Sequence, residues 1–159
     1  MDQDNTLYLD LKDGRVTIQL FADKAPGHVA RIKELVQEGY YDGLKFHRVI
    51  AGFMAQTGCP HGTGTGGSGQ NLAAEFNDTP HCRGTVSMAR AQHPDSADSQ
   101  FFICFDDAPH LDGQYTAWGQ VVDGMEFVDM IKMGDQFANG SVDEPDSIVA
   151  MKMAADAVD

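Results

Sequence analysis

The chain has 159 residues, of which 42% are hydrophobic and 22% are charged. This composition is typical of one globular domain with its own core, and we predict a single domain over residues 1–159. A formal net charge of −13 argues against nucleic acid and anionic membranes as partners, and no apolar run is long enough to cross a bilayer. Three separated cysteines, and an acidic start without a secretory pattern, predict a cytoplasmic protein. We also predict a monomer, because no apolar stripe in the sequence indicates a partner.

The first elements in chain order are a β-hairpin and a helix. Apolar residues alternate over residues 7–11 and again over residues 16–20, and Asp-Gly at residues 13–14 supplies a tight turn. Pro26 can open a helix, which Gly39 is expected to end. The apolar stripe of this helix consists of Val29, Ile32, Leu35 and Val36.

Most of the remaining chain predicts strands. The segments are rich in β-branched and aromatic residues. They cover residues 44–50, 53–56, 85–89, 101–105, 116–122 and 148–153. Many short strands without regular strand–helix alternation favour an antiparallel barrel or a sandwich over a doubly wound sheet. We prefer a barrel, because closure removes exposed strand edges and two helices could cover its open ends.

A second helix is predicted between the last two strands. Asp123 can act as its N-cap, with Glu126 reaching back as in a capping box. Val128 and Ile131 face inward, and Gly134 is expected to end the helix.

Two groups of residues invite a binding role but carry weak signals. The glycine-rich segment 62–69 lacks a following Gly-Lys-Ser/Thr or helix pattern, so a structural loop is the better interpretation than a phosphate site. A metal site remains an alternative, although the spacing of its candidate ligands matches no common zinc pattern, and we predict no metal. These candidates are Cys59, His61, His81 and Cys82.

Arg48 stands out because it lies inside an apolar strand pattern. Phe46, Arg48 and Ile50 share one face by the two-residue period of a strand. A lone strand arginine is usually an edge or ion-pair residue, so the spacing alone gives it no definite function.

The surroundings of Arg48 resemble the cyclophilins. The similarity is carried by residues 46–58 (FHRVIAGFMAQTG), 64–67 (GTGG), 87–91 (SMARA), 99–103 (SQFFI) and 111–113 (LDG), in the order and approximate spacing of that family. It extends from about Thr6 to about Met153 and includes both predicted helices. The resemblance implies an eight-stranded antiparallel β-barrel capped by two α-helices. It also implies a peptidyl-prolyl cis-trans isomerase that assists protein folding.

The resemblance assigns a role to each matching position. Isomerisation breaks no covalent bond, so no nucleophile, metal or cofactor is needed; the enzyme must instead bind the twisted amide better than the planar isomers. Arg48 is expected to donate to the proline nitrogen, with Phe53 and Gln56 completing the catalytic set. The expected substrate-binding residues are Met54, Gly64, Arg90, Ala91, Gln100, Phe102, His110, Leu111 and Tyr115. Proline-containing peptides and unfolded or flexible proteins would be the partners.

Three positions depart from the pattern of cyclosporin-sensitive eukaryotic members. Arg90 replaces asparagine, His110 replaces tryptophan and Tyr115 replaces histidine, a combination more similar to bacterial-type members. We therefore expect catalysis with weak cyclosporin binding, because an imidazole offers less apolar cover than an indole. A non-catalytic peptide-binding or holdase module is the main alternative, although such a protein would not need Arg48.

Overall fold

A computed structural model describes residues 3–157 and confirms the predicted hairpin. Strand β1 (Thr6–Leu11) pairs antiparallel with β2 (Gly14–Leu20). Leu11 pairs with Gly14, so the turn residues are Lys12 and Asp13 and the predicted Asp-Gly turn is displaced by one residue. A Cβ at Gly14 would lie 2.5 Å from the Phe127 ring, so a larger residue there would displace that ring.

Helix α1 (Pro26–Gln37) begins and ends where the sequence predicts. Pro26 occupies the first turn, and Gly39 adopts a left-handed φ of 75° just beyond the end. The free N–H groups at its start are capped from a distant loop. Glu75 accepts from the backbone N–H groups of Gly27 at 3.0 Å and His28 at 2.7 Å. The apolar stripe of α1 is buried against the sheet.

The sheet has eight antiparallel strands over residues 3–157, in the order β3-β4-β6-β5-β7-β2-β1-β8. The further strands are β3 (Arg48–Ile50), β4 (Met54–Thr57), β5 (Thr85–Met88), β6 (Phe101–Cys104), β7 (Ala117–Asp123) and β8 (Ala150–Met153). The sheet curls into a half-barrel, and the predicted fold class is confirmed. Within the same residues, no helix is long and apolar enough to cross a membrane.

The predicted strand 44–50 is divided between two partners. Only β3 pairs with β4, whereas residues 43–46 pair with residues 146–148. Gly43 donates to the Ile148 carbonyl at 2.8 Å, and the Ile148 N–H donates to Leu44 at 2.8 Å. These hydrogen bonds join the segment that precedes β3 to the segment that precedes β8, and β3 and β8 are the two outermost strands of the sheet.

Helix α2 (Met125–Asp129) starts later than predicted, and the capping box is wrong. Asp123 is the last residue of β7, and Gly124 takes the N-cap position with a φ of 86°. A Cβ at Gly124 would lie 2.4 Å from the Arg15 carbonyl oxygen, so only glycine fits this close approach. Val128 and Ile131 are buried as predicted. The helix ends at Asp129, however, so the prediction that Gly134 ends it is wrong.

The loop after α2, residues 134–141, covers the outer edge of β3. The Val49 N–H donates to the Gly140 carbonyl at 2.8 Å, and the Gly134 N–H donates to the Val49 carbonyl at 2.8 Å. This 134–141 loop therefore supplies the hydrogen bonds that an unpaired strand edge would otherwise leave to water.

Candidate active site

A small apolar cluster separate from the main core forms one wall of a cavity. Met54, Phe102 and Leu111 are each at most 6% exposed, and Phe53 and Tyr115 pack against the cluster. The cavity encloses about 120 Å³. Its lining residues are Arg48, Phe53, Met54, Gln56, Ala89, Arg90, Phe102, Leu111 and Tyr115.

The strand register places Arg48 at the edge of this cavity. Arg48 is opposite Gln56 across the β3–β4 pair, and Gln56 is opposite Phe102 across the β4–β6 pair. Side chains opposite one another in antiparallel strands share a face of the sheet. The guanidinium, the amide and the aromatic ring therefore project to the same side.

A row of hydrogen bonds fixes the polar side chains beside the cavity. Arg48 Nη1 donates to Gln56 Oε1 at 3.1 Å, and Gln56 Nε2 donates to Gln100 Oε1 at 2.9 Å. Gln100 Nε2 in turn donates to the carbonyls of Gly64 at 2.9 Å and Gly66 at 3.0 Å. Each amide orientation is thus set by its neighbour, and the row ends on the glycine-rich loop.

The Arg48 guanidinium keeps part of its donor capacity. Its other bonds run to Asn139, from Nε to the carbonyl at 3.0 Å and from Nη2 to Oδ1 at 3.1 Å. A guanidinium has five N–H bonds, so one N–H on each terminal nitrogen has no acceptor among residues 3–157. No carboxylate in that range pairs with Arg48, and its charge is uncompensated.

Arg90, which also lines the cavity, is hydrogen-bonded to two segments of the chain. It donates to the carbonyl of Gln114 from Nε at 3.1 Å and Nη2 at 2.8 Å, and from Nη1 to Ala91 at 2.9 Å and Gln92 at 3.1 Å. Its guanidinium carbon lies 4.7 Å from the centre of the Tyr115 ring. Arg90 also lines a second, more polar cavity of about 300 Å³.

The second cavity adjoins the first and contains further predicted residues. Gln56, Ala89 and Arg90 line both cavities. Gly64, Ala91 and Gln100 line the second one only. The structure therefore brings all the predicted site residues except His110 to these two cavities.

His110 lies at the exposed rim, outside the lining of both cavities. Its ring is 5.6 Å from that of Phe53, centre to centre, at an angle of 36°. The ring of Tyr115 meets Phe102 edge-on at 5.8 Å. His110 is thus connected to the apolar cavity through Phe53.

Comparisons with known proteins identify the family of this chain. The family model of the cyclophilin-type peptidyl-prolyl cis-trans isomerases matches residues 6–153. The chain belongs to the cyclophilin family. The predicted enzyme class, peptidyl-prolyl cis-trans isomerase, is confirmed.

Relatives of this cyclophilin are similar along most of its length. A probable peptidyl-prolyl cis-trans isomerase of Brucella suis is 54% identical over 98% of this chain and 85% of its own. Isomerase B of Bacillus subtilis is 47% identical over 82% and 92% of the two chains. A Hirschia baltica cyclophilin structure has a TM-score of 0.88 at 29% identity, covering 99% of this chain and 77% of its own. A Cryptosporidium parvum cyclophilin, crystallised in the presence of the dipeptide Ala-Pro, has a TM-score of 0.86 at 29% identity, covering 93% and 98%.

A buried histidine behind the cavity of this cyclophilin is considered from the sequence only as a possible metal ligand. His81 is 1% exposed and stacks on Phe102 at 6.3 Å. Burial lowers the pKa of His81 below its ordinary value, against the opposing effect of Asp112. The neutral ring donates from Nδ1 to Asp112 Oδ1 at 3.1 Å and accepts the Ser87 hydroxyl at Nε2, 2.9 Å away. Ser87 is fully buried, so this Ser-His-Asp arrangement supports the cavity wall and cannot reach a substrate.

The alternative metal site is not assembled. Cys59 accepts backbone N–H bonds from Gly64 and Gly66 at 3.3 Å each, while His81 is bound to Asp112. Burial raises the pKa of the Cys59 thiol. The N–H groups of Gly66 and other residues of its loop outweigh this effect and lower the pKa to about 7. Within residues 3–157, no three His, Cys, Asp or Glu side chains are grouped to bind a metal.

Proposed function

We propose that this isomerase acts on X-Pro bonds by stabilising the twisted amide with Arg48 beside an apolar proline pocket. The observation that carries the proposal is the guanidinium itself, which has two uncommitted N–H groups and no carboxylate partner within residues 3–157. The planar amide imposes a barrier of about 20 kcal/mol. When the bond twists, the proline nitrogen regains a lone pair that an oriented N–H can bind.

The 120 Å³ cavity is the proposed site for the proline ring. Its apolar wall of Phe53, Met54, Phe102 and Leu111 offers contacts to a ring but no hydrogen bond to it. A ring fixed there lets the acyl side rotate past Arg48. The Ala-Pro dipeptide present with the Cryptosporidium parvum cyclophilin supports this choice of ligand.

The polar row beside the cavity is the proposed contact for the substrate backbone. Gln56, Gln100 and the neighbouring Gly64 are held by one another, so their remaining donors and acceptors have fixed directions. Arg90 and Ala91 shape the adjoining groove. Because these groups address backbone rather than side chains, we propose broad specificity and a role in folding unfolded or flexible proteins.

A catalyst and a holdase can be separated in one pair of measurements. A protease-coupled assay on an Ala-Pro peptide gives the isomerisation rate, and peptide titration gives binding. We expect turnover well above the uncatalysed rate, because a module that only grips proline needs the pocket but not the guanidinium. Intact binding with a rate at background would instead establish the holdase.

The cysteines and the surface charge support a proposal for the cellular setting. Cys59, Cys82 and Cys104 are all free, which supports a reducing compartment such as the cytoplasm. We also propose a monomer, whose strongly negative charge opposes self-association.

Cyclosporin is proposed to bind weakly because His110 gives the rim little apolar cover. The imidazole already packs on Phe53 at 5.6 Å, so an indole at this position would extend the apolar surface without a change of backbone. We expect His110→Trp to raise cyclosporin affinity by about tenfold, measured by calorimetry. His110→Leu serves as a control for polarity, and equal affinity in all three proteins would refute the explanation.

A further inference from the structure

Asn139 holds the Arg48 guanidinium along one edge with two acceptors. Its carbonyl accepts from Nε at 3.0 Å, and its Oδ1 accepts from Nη2 at 3.1 Å. In a bidentate ion pair, two parallel N–H bonds of a guanidinium are given to the two oxygens of a carboxylate. Here, two neutral oxygens of one residue take that place.

We infer that Asn139 is a positioning residue that fixes the Arg48 guanidinium without neutralising its charge. The inference rests on the proposed role of Arg48 at the X-Pro amide. Asn139 itself need not touch the substrate. Its function is to deliver an oriented and uncompensated cation to the edge of the proline pocket.

The five arginines divide in a way that supports this inference. The three that lie away from the cavities each pair with a carboxylate: Arg15 with Asp10, Arg31 with Glu34 and Arg83 with Asp129. The two that line the cavities are held by neutral oxygens. Arg90 donates to main-chain carbonyls, and Arg48 donates to the amide oxygen of Gln56 and to Asn139.

The division stands out because carboxylates are abundant in this chain, with 24 Asp and Glu against 11 Lys and Arg. An adjacent carboxylate would stabilise the ground state of the guanidinium and reduce the field that it exerts on the amide. Neutral acceptors restrict its rotation and leave its charge intact. An arginine side chain has high rotamer entropy, so fixing it before the substrate arrives removes that cost from the reaction step.

The backbone around Asn139 explains how one residue offers both oxygens. Asn139 has a left-handed φ of 56°, which asparagine tolerates better than most residues. The 134–141 loop is also bonded to the residue next to Arg48, because Val49 exchanges backbone bonds with Gly134 and Gly140. The acceptors are therefore tied by backbone hydrogen bonds to the strand that carries Arg48.

The test compares Asn139→Gly with Asn139→Asp by exchange NMR on an Ala-Pro peptide, which separates kcat from KM. Glycine keeps the left-handed backbone and the carbonyl acceptor but removes Oδ1, so kcat should fall about threefold to tenfold with KM changed less than twofold. Aspartate preserves both acceptors but adds a charge. We expect its kcat to fall further, by about tenfold or more, with partial recovery at high salt.

The controls separate this inference from the function on which it rests. Gln136→Ala, an exposed change in the same loop, should leave both constants within twofold. In an Arg48→Ala background, Asn139→Gly should cost less than twofold, because there is nothing left to hold. Wild-type kcat in Asn139→Asp or Asn139→Gly, or an equal loss in both backgrounds, would overturn the inference. Wild-type turnover in Arg48→Ala alone would instead overturn the proposed function.

Discussion

Replacement of Arg48 by alanine is expected to lower kcat/KM for an Ala-Pro peptide by about a hundredfold to a thousandfold. The loss falls on catalysis because the guanidinium is the cationic donor beside the apolar cavity that has uncommitted N–H groups on both terminal nitrogens. The fold should persist, since Arg48 is only half-buried at the start of a strand whose backbone bonds do not depend on its side chain. A protease-coupled assay beside circular dichroism measures both.

Two further arginine variants make the result specific. Arg83→Ala removes a surface ion pair with Asp129, and its kcat/KM should stay within twofold of wild type. Arg48→Lys keeps the charge but loses the planar fork that binds Gln56 and Asn139 together, so it should recover little activity. A folded Arg48→Ala protein with more than a tenth of wild-type kcat/KM would show that another group stabilises the twisted amide.

Elements with a strong local period could be predicted from the sequence. The hairpin of β1 and β2 and helix α1 follow from alternating or helical spacing of apolar residues, with Pro26 and Gly39 marking the helix. The boundaries failed where the partner lies far along the chain. Residues 44–46 look like part of a strand with residues 48–50, but their partners are residues 146–148.

The error at helix α2 has a similar origin. Asp123 and Glu126 fit a capping box as a local pattern, yet β7 continues to Asp123 because Thr17 pairs with it across a register shift. A tertiary contact thus overrode a local signal. The N-cap is therefore Gly124, where the close approach to the Arg15 carbonyl leaves room only for glycine.

For the site, the motif identified the residues on neighbouring strands but not those that support them. Arg48, Gln56 and Phe102 lie in the matched stretches, and the sheet register brings them together. Asn139 is 91 residues from Arg48 in sequence. Its only local signal is the Asn-Gly pair, which predicts a turn but says nothing about what the turn contacts.

Gly134 lies where the 134–141 loop, which carries Asn139, is hydrogen-bonded to strand β3. A Cβ there would lie 1.9 Å from the Gly140 carbonyl oxygen, a backbone atom that cannot rotate away. Gly134→Ala should therefore displace the 134–141 loop from β3 and weaken its bonds to Val49 and Arg48. We expect the free energy of unfolding to fall by about 3 kcal/mol. We also expect kcat/KM to fall about tenfold or more, because a misplaced catalytic group loses its alignment.

Gly43→Ala is the matched control for a glycine-to-alanine change outside the loop. Gly43 has a left-handed φ of 82°, but a Cβ there meets nothing within 4 Å, so the cost should be only the backbone strain of about 1–2 kcal/mol. Its kcat/KM should equal that of wild type. Urea unfolding and the isomerase assay on both variants decide the matter. If Gly134→Ala lost stability but kept wild-type kcat/KM, Arg48 would hold its orientation without the 134–141 loop, through Gln56 alone.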